Sequence, residues 1–218
     1  MSRSLWFFLA IACAAPASAQ AQADTRVPGW NESHAEEGNR TVITLYRLAT
    51  CAQRWRREAA EAYLLSERGS DAERTALDSL ILAPPKHDRC LTGGATRFRI
   101  NSGDALRGAV AESAYNGNRI RPRAEAPLPD APPAAASARP REVIMCAVAR
   151  DPMLAHRLLQ VNYRSPTETR FLRRMNSHFL TCLPAGASLR ASRVAVRTYI
   201  ADALLEAARR HRELFINA

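Results

Sequence analysis

The 218 residues carry 47% apolar side chains, enough for a sizeable core, which excludes wholesale disorder. Charged residues make up 24% and aromatics only 6%, so a stacking platform for single-stranded nucleic acid has little material. The formal net charge of +10 repels basic ligands and attracts anionic ones.

The chain opens on Arg3, an apolar run from Leu5 to Ala12, and the small residues Ala17-Ser18-Ala19. That order predicts a secretory signal peptide over residues 1–19, cleaved after Ala19. The run is shorter than the roughly 20 residues a membrane-spanning helix needs, and no later segment is longer. Lipidation at Cys13 is the competing reading, and it lacks a Leu three residues before the Cys, where Ala10 stands. The expected location is periplasmic or secreted.

Export oxidises thiols. Cys51, Cys90, Cys146 and Cys182 remain after cleavage, none in a Cys-x-x-Cys pair, so zinc and thioredoxin-type sites have no support. Residues 20–40 are polar and unpatterned and read as a flexible lead-in. Asn31-Glu32-Ser33 matches a glycosylation acceptor but reads first as a polar loop.

Residues 41–120 then form a helical unit that recurs at 142–218. At a shift of 95 residues, Cys51-Ala52 meets Cys146-Ala147, and the capping box Ser70-x-x-Glu73 meets Ser165-Pro166-x-Glu168. At a shift of 92, Cys90-Leu91 meets Cys182-Leu183; at 90, Arg107 meets Arg197 and Ala111-Glu112 meets Ala201-Asp202. Val196, Tyr199, Ile200, Ala203, Leu204 and Ala207 form one helical stripe, matched by Leu106, Ala109, Val110 and Ala114. The first segment of the first unit, Leu45 to Tyr63, is helical in period, and its counterpart in the second unit meets Pro152, which predicts a break there and two shorter pieces. Thr96 to Ile100 alternates and could form one short strand, too little for a sheet. Residues 121–141, with six prolines among alanines, read as an extended linker.

The expected fold class is therefore all-α, with two similar small helical units from an internal duplication, each with one disulfide. Units of this size gain from a staple, and a bridge closing about 40 residues contributes about 4 kcal/mol in the chain-entropy model. That favours Cys51–Cys90 and Cys146–Cys182, joined across a linker that transmits little between the units.

No catalytic residue or metal ligand set is predicted, and no cofactor. Lys86 is the only lysine and has no Ser three residues before it; Gly-x-Ser-x-Gly, phosphate-loop and His-Glu-x-x-His patterns are absent. His34, His87, His156, His178 and His211 are scattered, although His156 and His178 could approach each other. Arg107 and Arg197 are the candidate anion-binding residues. The competing structural reading has each of them, and each of Glu112 and Asp202, contacting a neighbouring helix of its own unit. Other arginines fall in the runs Arg54 to Arg57, Arg119 to Arg123, Arg170 to Arg174 and Arg209-Arg210. Arginine in place of lysine in an alanine-rich chain is also what a GC-rich genome produces.

The duplicated Cys-Ala…Ser-x-x-Glu…Cys-Leu pattern, above all Cys182-Leu183-Pro184-Ala185-Gly186 with Leu189-Arg190, resembles a group of uncharacterised exported alphaproteobacterial proteins with a duplicated, two-cysteine helical unit. The resemblance implies no activity and no binding residue. The first unit departs from it, with Thr92-Gly93 where the second has Pro184-Ala185. The functional expectation is an exported, non-catalytic binding or envelope-associated module; its alternative is an envelope hydrolase whose carboxylate or His site only the fold assembles. The expected partner is an anionic envelope component or another periplasmic protein, with nucleic acid disfavoured.

Overall fold

Helix follows helix in the computed structural model, which describes residues 30–31, 39–81, 103–123, 127–129, 132 and 134–217. The first half holds α1 (Asn39–Trp55), α2 (Arg57–Leu65), α3 (Asp71–Ile81) and α4 (Gly103–Gly117). The second holds α5 (Pro140–Arg150), α6 (Pro152–Leu159), α7 (Pro166–Cys182) and α8 (Arg193–Arg210). The protein is all-α, with strand limited to two short ribbons among the described residues. The predicted signal peptide, Cys13, the strand at Thr96 to Ile100 and Cys90 lie outside them.

Local chemistry explains where helices begin. The Ser165 hydroxyl accepts the Glu168 N–H at 3.1 Å, while the Glu168 carboxylate accepts the Arg164 N–H at 2.6 Å. In the first half Ser70 accepts the Glu73 N–H at 3.1 Å, and Glu73 accepts the Gly69 N–H at 2.7 Å. Proline opens α5, α6 and α7, where its missing N–H costs nothing. Ser192 caps α8 by accepting the Ala195 N–H.

The break at Pro152 is present, but it has a counterpart that the residue pattern hid. α1 and α2 part at Arg56, 95 residues before Asp151, where α5 and α6 part. The backbone at the two joints is similar, with φ −136° and ψ 43° at Arg56 against φ −143° and ψ 77° at Asp151. Proline accommodates this bend and is not needed to make it. In the first half the joint is tied by Arg56, whose Nη1 donates to the Leu80 carbonyl of α3.

Two strand pairs tie the ends of the chain. β1 (Trp30–Asn31) runs parallel to β3 (Leu189–Arg190), so the expected flexible lead-in is pinned at that point. β2 (Ile120–Pro122) pairs antiparallel with β4 (Phe215–Asn217), Arg121 opposite Ile216. The proline-rich segment is likewise held against the second half rather than extended between units. Leu128 is buried and donates its N–H to the Ala149 carbonyl at 2.7 Å, and the Ala135 N–H reaches the Cys182 carbonyl at 2.9 Å. Its few apolar and backbone groups find partners there, which offsets the ordering entropy that favours an extended chain.

Buried side chains of both halves form one hydrophobic core. At its centre α4 packs on α8 more extensively than any other described pair of helices. Gly108 makes the close approach: a Cβ there would stand 2.2 Å from the Thr198 Cβ and 2.5 Å from the Thr198 carbonyl oxygen. The expectation of two units that barely communicate therefore gives way to a shared interior. The Cys146–Cys182 disulfide joins α5 to the end of α7, with 5.9 Å between Cα atoms. Cys51 is also disulfide-bonded, and the expected Cys51–Cys90 pairing has Cys90 outside the described residues. No described helix is long and apolar enough to cross a membrane.

Candidate functional site

The two arginines singled out from the sequence stand at the centre of the molecule, only 6% and 5% exposed. Arg107 extends from α4 to the C-terminus of α2. It donates to the carbonyls of Tyr63, Leu64 and Ser66 at 2.8, 2.8 and 3.0 Å, and to Glu73 at 2.8 Å. Arg197 extends from α8 to the C-terminus of α6. It donates to the carbonyls of Leu158, Leu159 and Val161 at 3.3, 2.9 and 2.9 Å, and to Glu168 at 3.1 Å. Each cation thus satisfies carbonyls that a helix end leaves open, and grips the carboxylate that starts the next helix.

The acids Glu112 and Asp202 reach across to the opposite half. Glu112 on α4 receives Arg197 through both Nε and Nη2, the shortest contact being 2.6 Å. Asp202 on α8 lies 3.6 Å from the Arg107 Nε and is held at 2.6 Å by Arg68. Each carboxylate thus meets the arginine of the opposite half in addition to the expected neighbour in its own half, Tyr46 of α1 for Glu112 and, at 3.7 Å, Arg141 of α5 for Asp202. The anions that Arg107 and Arg197 hold in this structure are carboxylates of the chain itself. Burial opposes the charge of Arg197, but the hydrogen-bonded Glu112 and nearby Glu168 hold its pKa above the ordinary arginine value. The Tyr46 hydroxyl donates to Glu112 at 3.0 Å; burial, then that carboxylate, push its pKa well up. Tyr63, stacked 5.6 Å from the Arg107 guanidinium, is pushed up to about 12 by burial and then by Glu73.

A second cluster forms where α2, α4 and α8 meet the β2–β4 ribbon. Here lies a cavity of about 510 Å³ lined by Arg57, Arg123, Arg209 and Arg212, with Glu61 as its one acidic side chain. Arg123 donates to the Phe215 carbonyl and Arg209 to the Leu64 carbonyl, each at 3.3 Å. Among the described residues none of the four makes an ion pair. Burial lowers the pKa of Arg209; Glu61 acts against that shift and Arg107 adds to it. Leu64, Leu205 and Phe215 supply buried apolar wall. This site was not visible in the sequence as a site. It takes Arg57, Arg123 and Arg209 from three separate arginine runs, and nothing in linear spacing brings those runs together.

A shallower groove of about 680 Å³ runs between α1 and the turn after α6, past the half-exposed Trp55 and Ile43 to Glu112 and Arg197 at its base. The histidines are apart in their contacts. His156 meets the Tyr115 hydroxyl through Nδ1 at 3.1 Å, whereas His178 Nε2 faces Asp151 at 3.6 Å. Among the described residues no group of three or more His, Cys, Asp and Glu side chains could hold a metal ion. The chain matches no family model, no curated protein and no solved structure.

Proposed function

We propose that the chain is an exported, non-catalytic helical protein of the cell envelope, of the duplicated two-cysteine kind described above, serving as a binding module for an anionic ligand. One observation carries the binding role: four arginines line one cavity and none of them is ion-paired among the described residues, while the charges of the central network are paired. Arg57, Arg123 and Arg212 are exposed and Arg209 half-buried, so the four like charges repel one another at an open mouth, and an anion relieves that repulsion.

The duplication is supported by element starts that repeat at shifts of 95 and 90 residues and by the matched partners of Arg107 and Arg197. In this reading each unit has one disulfide, Cys51–Cys90 in the first. Export is supported by the signal-like residues 1–19 and by the Cys146–Cys182 bridge, which suits an oxidising compartment. Intact-mass analysis of exported material should find a chain beginning at Gln20; retained Met1, or a lipid on Cys13, overturns this.

Native mass spectrometry of the mature protein tests the binding role, comparing wild type with the double variant Arg57→Gln, Arg212→Gln. Small anionic adducts that survive gentle desolvation in wild type and disappear in the variant are expected. Identical spectra for the two proteins sink the cavity as the binding place.

A further inference from the structure

We infer that the arginine-lined cavity takes an organic dianion, a phosphomonoester carrying a compact apolar group. The inference rests on the anion-binding reading above and narrows it. Four arginines against Glu61 leave the lining with a net charge near +3, so one negative charge compensates it poorly and a dianion does better. A phosphomonoester near neutral pH concentrates close to two charges in one group.

The arrangement of donors favours the same group. Arg57 comes from the start of α2, Arg123 from just after β2, Arg209 from the last turn of α8 and Arg212 from the turn leading to β4. A planar carboxylate suits one guanidinium fork, whereas the terminal oxygens of a phosphate accept forks arriving from several directions. The apolar component follows from Leu64, Leu205 and Phe215, buried side chains that share the cavity with the cations. A bare inorganic ion would leave that wall facing water.

The same chemistry could reach the cavity as a free solute or as a lipid head group. Isothermal titration of the mature, disulfide-bonded protein with four probes separates these: phenyl phosphate, inorganic phosphate, benzoate and vesicles containing phosphatidic acid. Phenyl phosphate should bind about tenfold more tightly than either inorganic phosphate or benzoate. The double variant Arg57→Gln, Arg212→Gln should lose about tenfold or more, and Glu61→Gln, which removes the competing carboxylate, should gain several-fold.

Vesicle binding that disappears with the two arginines supports a lipid source, and phenyl phosphate binding without vesicle binding supports a free one. Inorganic phosphate binding as tightly as phenyl phosphate overturns the apolar component. Benzoate binding as tightly overturns the dianion and leaves the anion site standing. No binding of any small anion overturns both this inference and the anion-binding reading, and vesicle binding that survives loss of the two arginines overturns the lipid source.

Discussion

The two halves solve one problem with unequal tightness. In each, an arginine of the last helix ties the end of the second helix to the start of the third, and faces a carboxylate from the opposite half. In the second half that carboxylate is Glu112, which takes Arg197 bidentately. In the first it is Asp202, one methylene shorter, which stays 3.6 Å from the Arg107 Nε and turns to Arg68 instead; that Nε has no hydrogen-bond partner. One methylene separates a closed pair from a loose one. The places flanking the pairs differ correspondingly. Beside Glu112 stand Tyr46 and an open groove, whereas beside Asp202 stand Arg68 and, 3.7 Å away, Arg141.

The sharpest way to break the comparison is to remove each arginine. Arg197→Ala leaves Glu112 and Glu168 buried without their cation and should cost about 3–5 kcal/mol, the range for breaking a buried pair. Arg107→Ala should cost less, because Arg68 and Arg141 still face Asp202. Urea denaturation with matched slopes measures both, and equal losses would show that the extra Glu112 contacts contribute nothing. Asp202→Glu is the sharpening variant, expected to recover a hydrogen bond to Arg107 and to narrow the gap.

The disulfide gives the next effect. Cys146→Ala with Cys182→Ala should cost about 4 kcal/mol in the chain-entropy model, less wherever the reduced chain retains structure. Because buried residues of both halves share one core, thermal unfolding should remain a single transition at lower temperature. Two resolved transitions, with the first half unmoved, would restore the picture of independent units. Gly108→Ala should cost about 1–3 kcal/mol as overpacking, since its Cβ meets backbone as well as the side chain of Thr198. Thr198→Gly in the Gly108→Ala background should recover part of that loss if the steric conflict is at this crossing; no recovery would place it elsewhere.

Much of this fold was legible in advance because helices announce themselves locally. Ser70, Ser165, Pro152 and the apolar stripe around Ile200 are local signals, and each appears where those signals place it. What the chain did not disclose is what joins elements far apart in sequence. The exchange of Glu112 and Asp202 between halves depends on how α4 crosses α8. That crossing depends on Gly108, whose residue type alone reveals nothing about its neighbour. The bend at Arg56 carries no proline, so its likeness to Asp151 emerges only in the backbone. Leu128 and β2 looked like linker because their partners, Ala149 and β4, lie well along the chain. The arginine cavity is hidden for the same reason, since Arg57, Arg123 and Arg209 come from separate runs that only the fold brings together.

A pH effect separates the halves as well. Burial, with Arg121 and Arg157 nearby, lowers the pKa of His156 below its ordinary 6.5. The unfolded chain then binds the proton more readily than the folded one, so stability is full above the unfolded value and is lost as pH falls toward the folded value. Glu61 stands at the corresponding place of the first half, 95 residues earlier, so the effect belongs to the second half. Wild type should lose stability on going below about pH 6.5 by more than His156→Gln does. Parallel pH profiles for the two proteins would remove His156 from the account.

The smallest expected effect lies in the turns before α3 and α7. Gly69 has φ +75°, and Arg164, at the corresponding place, has φ +59°. Both donate their N–H to the carboxylate that opens the following helix, so the left-handed conformation aims that donor. Glycine adopts it freely, whereas an L side chain there costs about 1 kcal/mol. Gly69→Ala should therefore destabilise by about 1 kcal/mol. Arg164→Gly relieves that strain but gives the unfolded chain more freedom, by about 0.5–1 kcal/mol, so the two contributions nearly cancel and it should be close to neutral. It also removes the guanidinium 5.7 Å from the Tyr163 ring, a contact at the rim of the open groove. The pair of variants reads the asymmetry directly: one turn already holds the residue its backbone favours, and the other holds a residue it tolerates. A large loss in Arg164→Gly would show that the side chain, rather than the backbone donor, is what that turn requires.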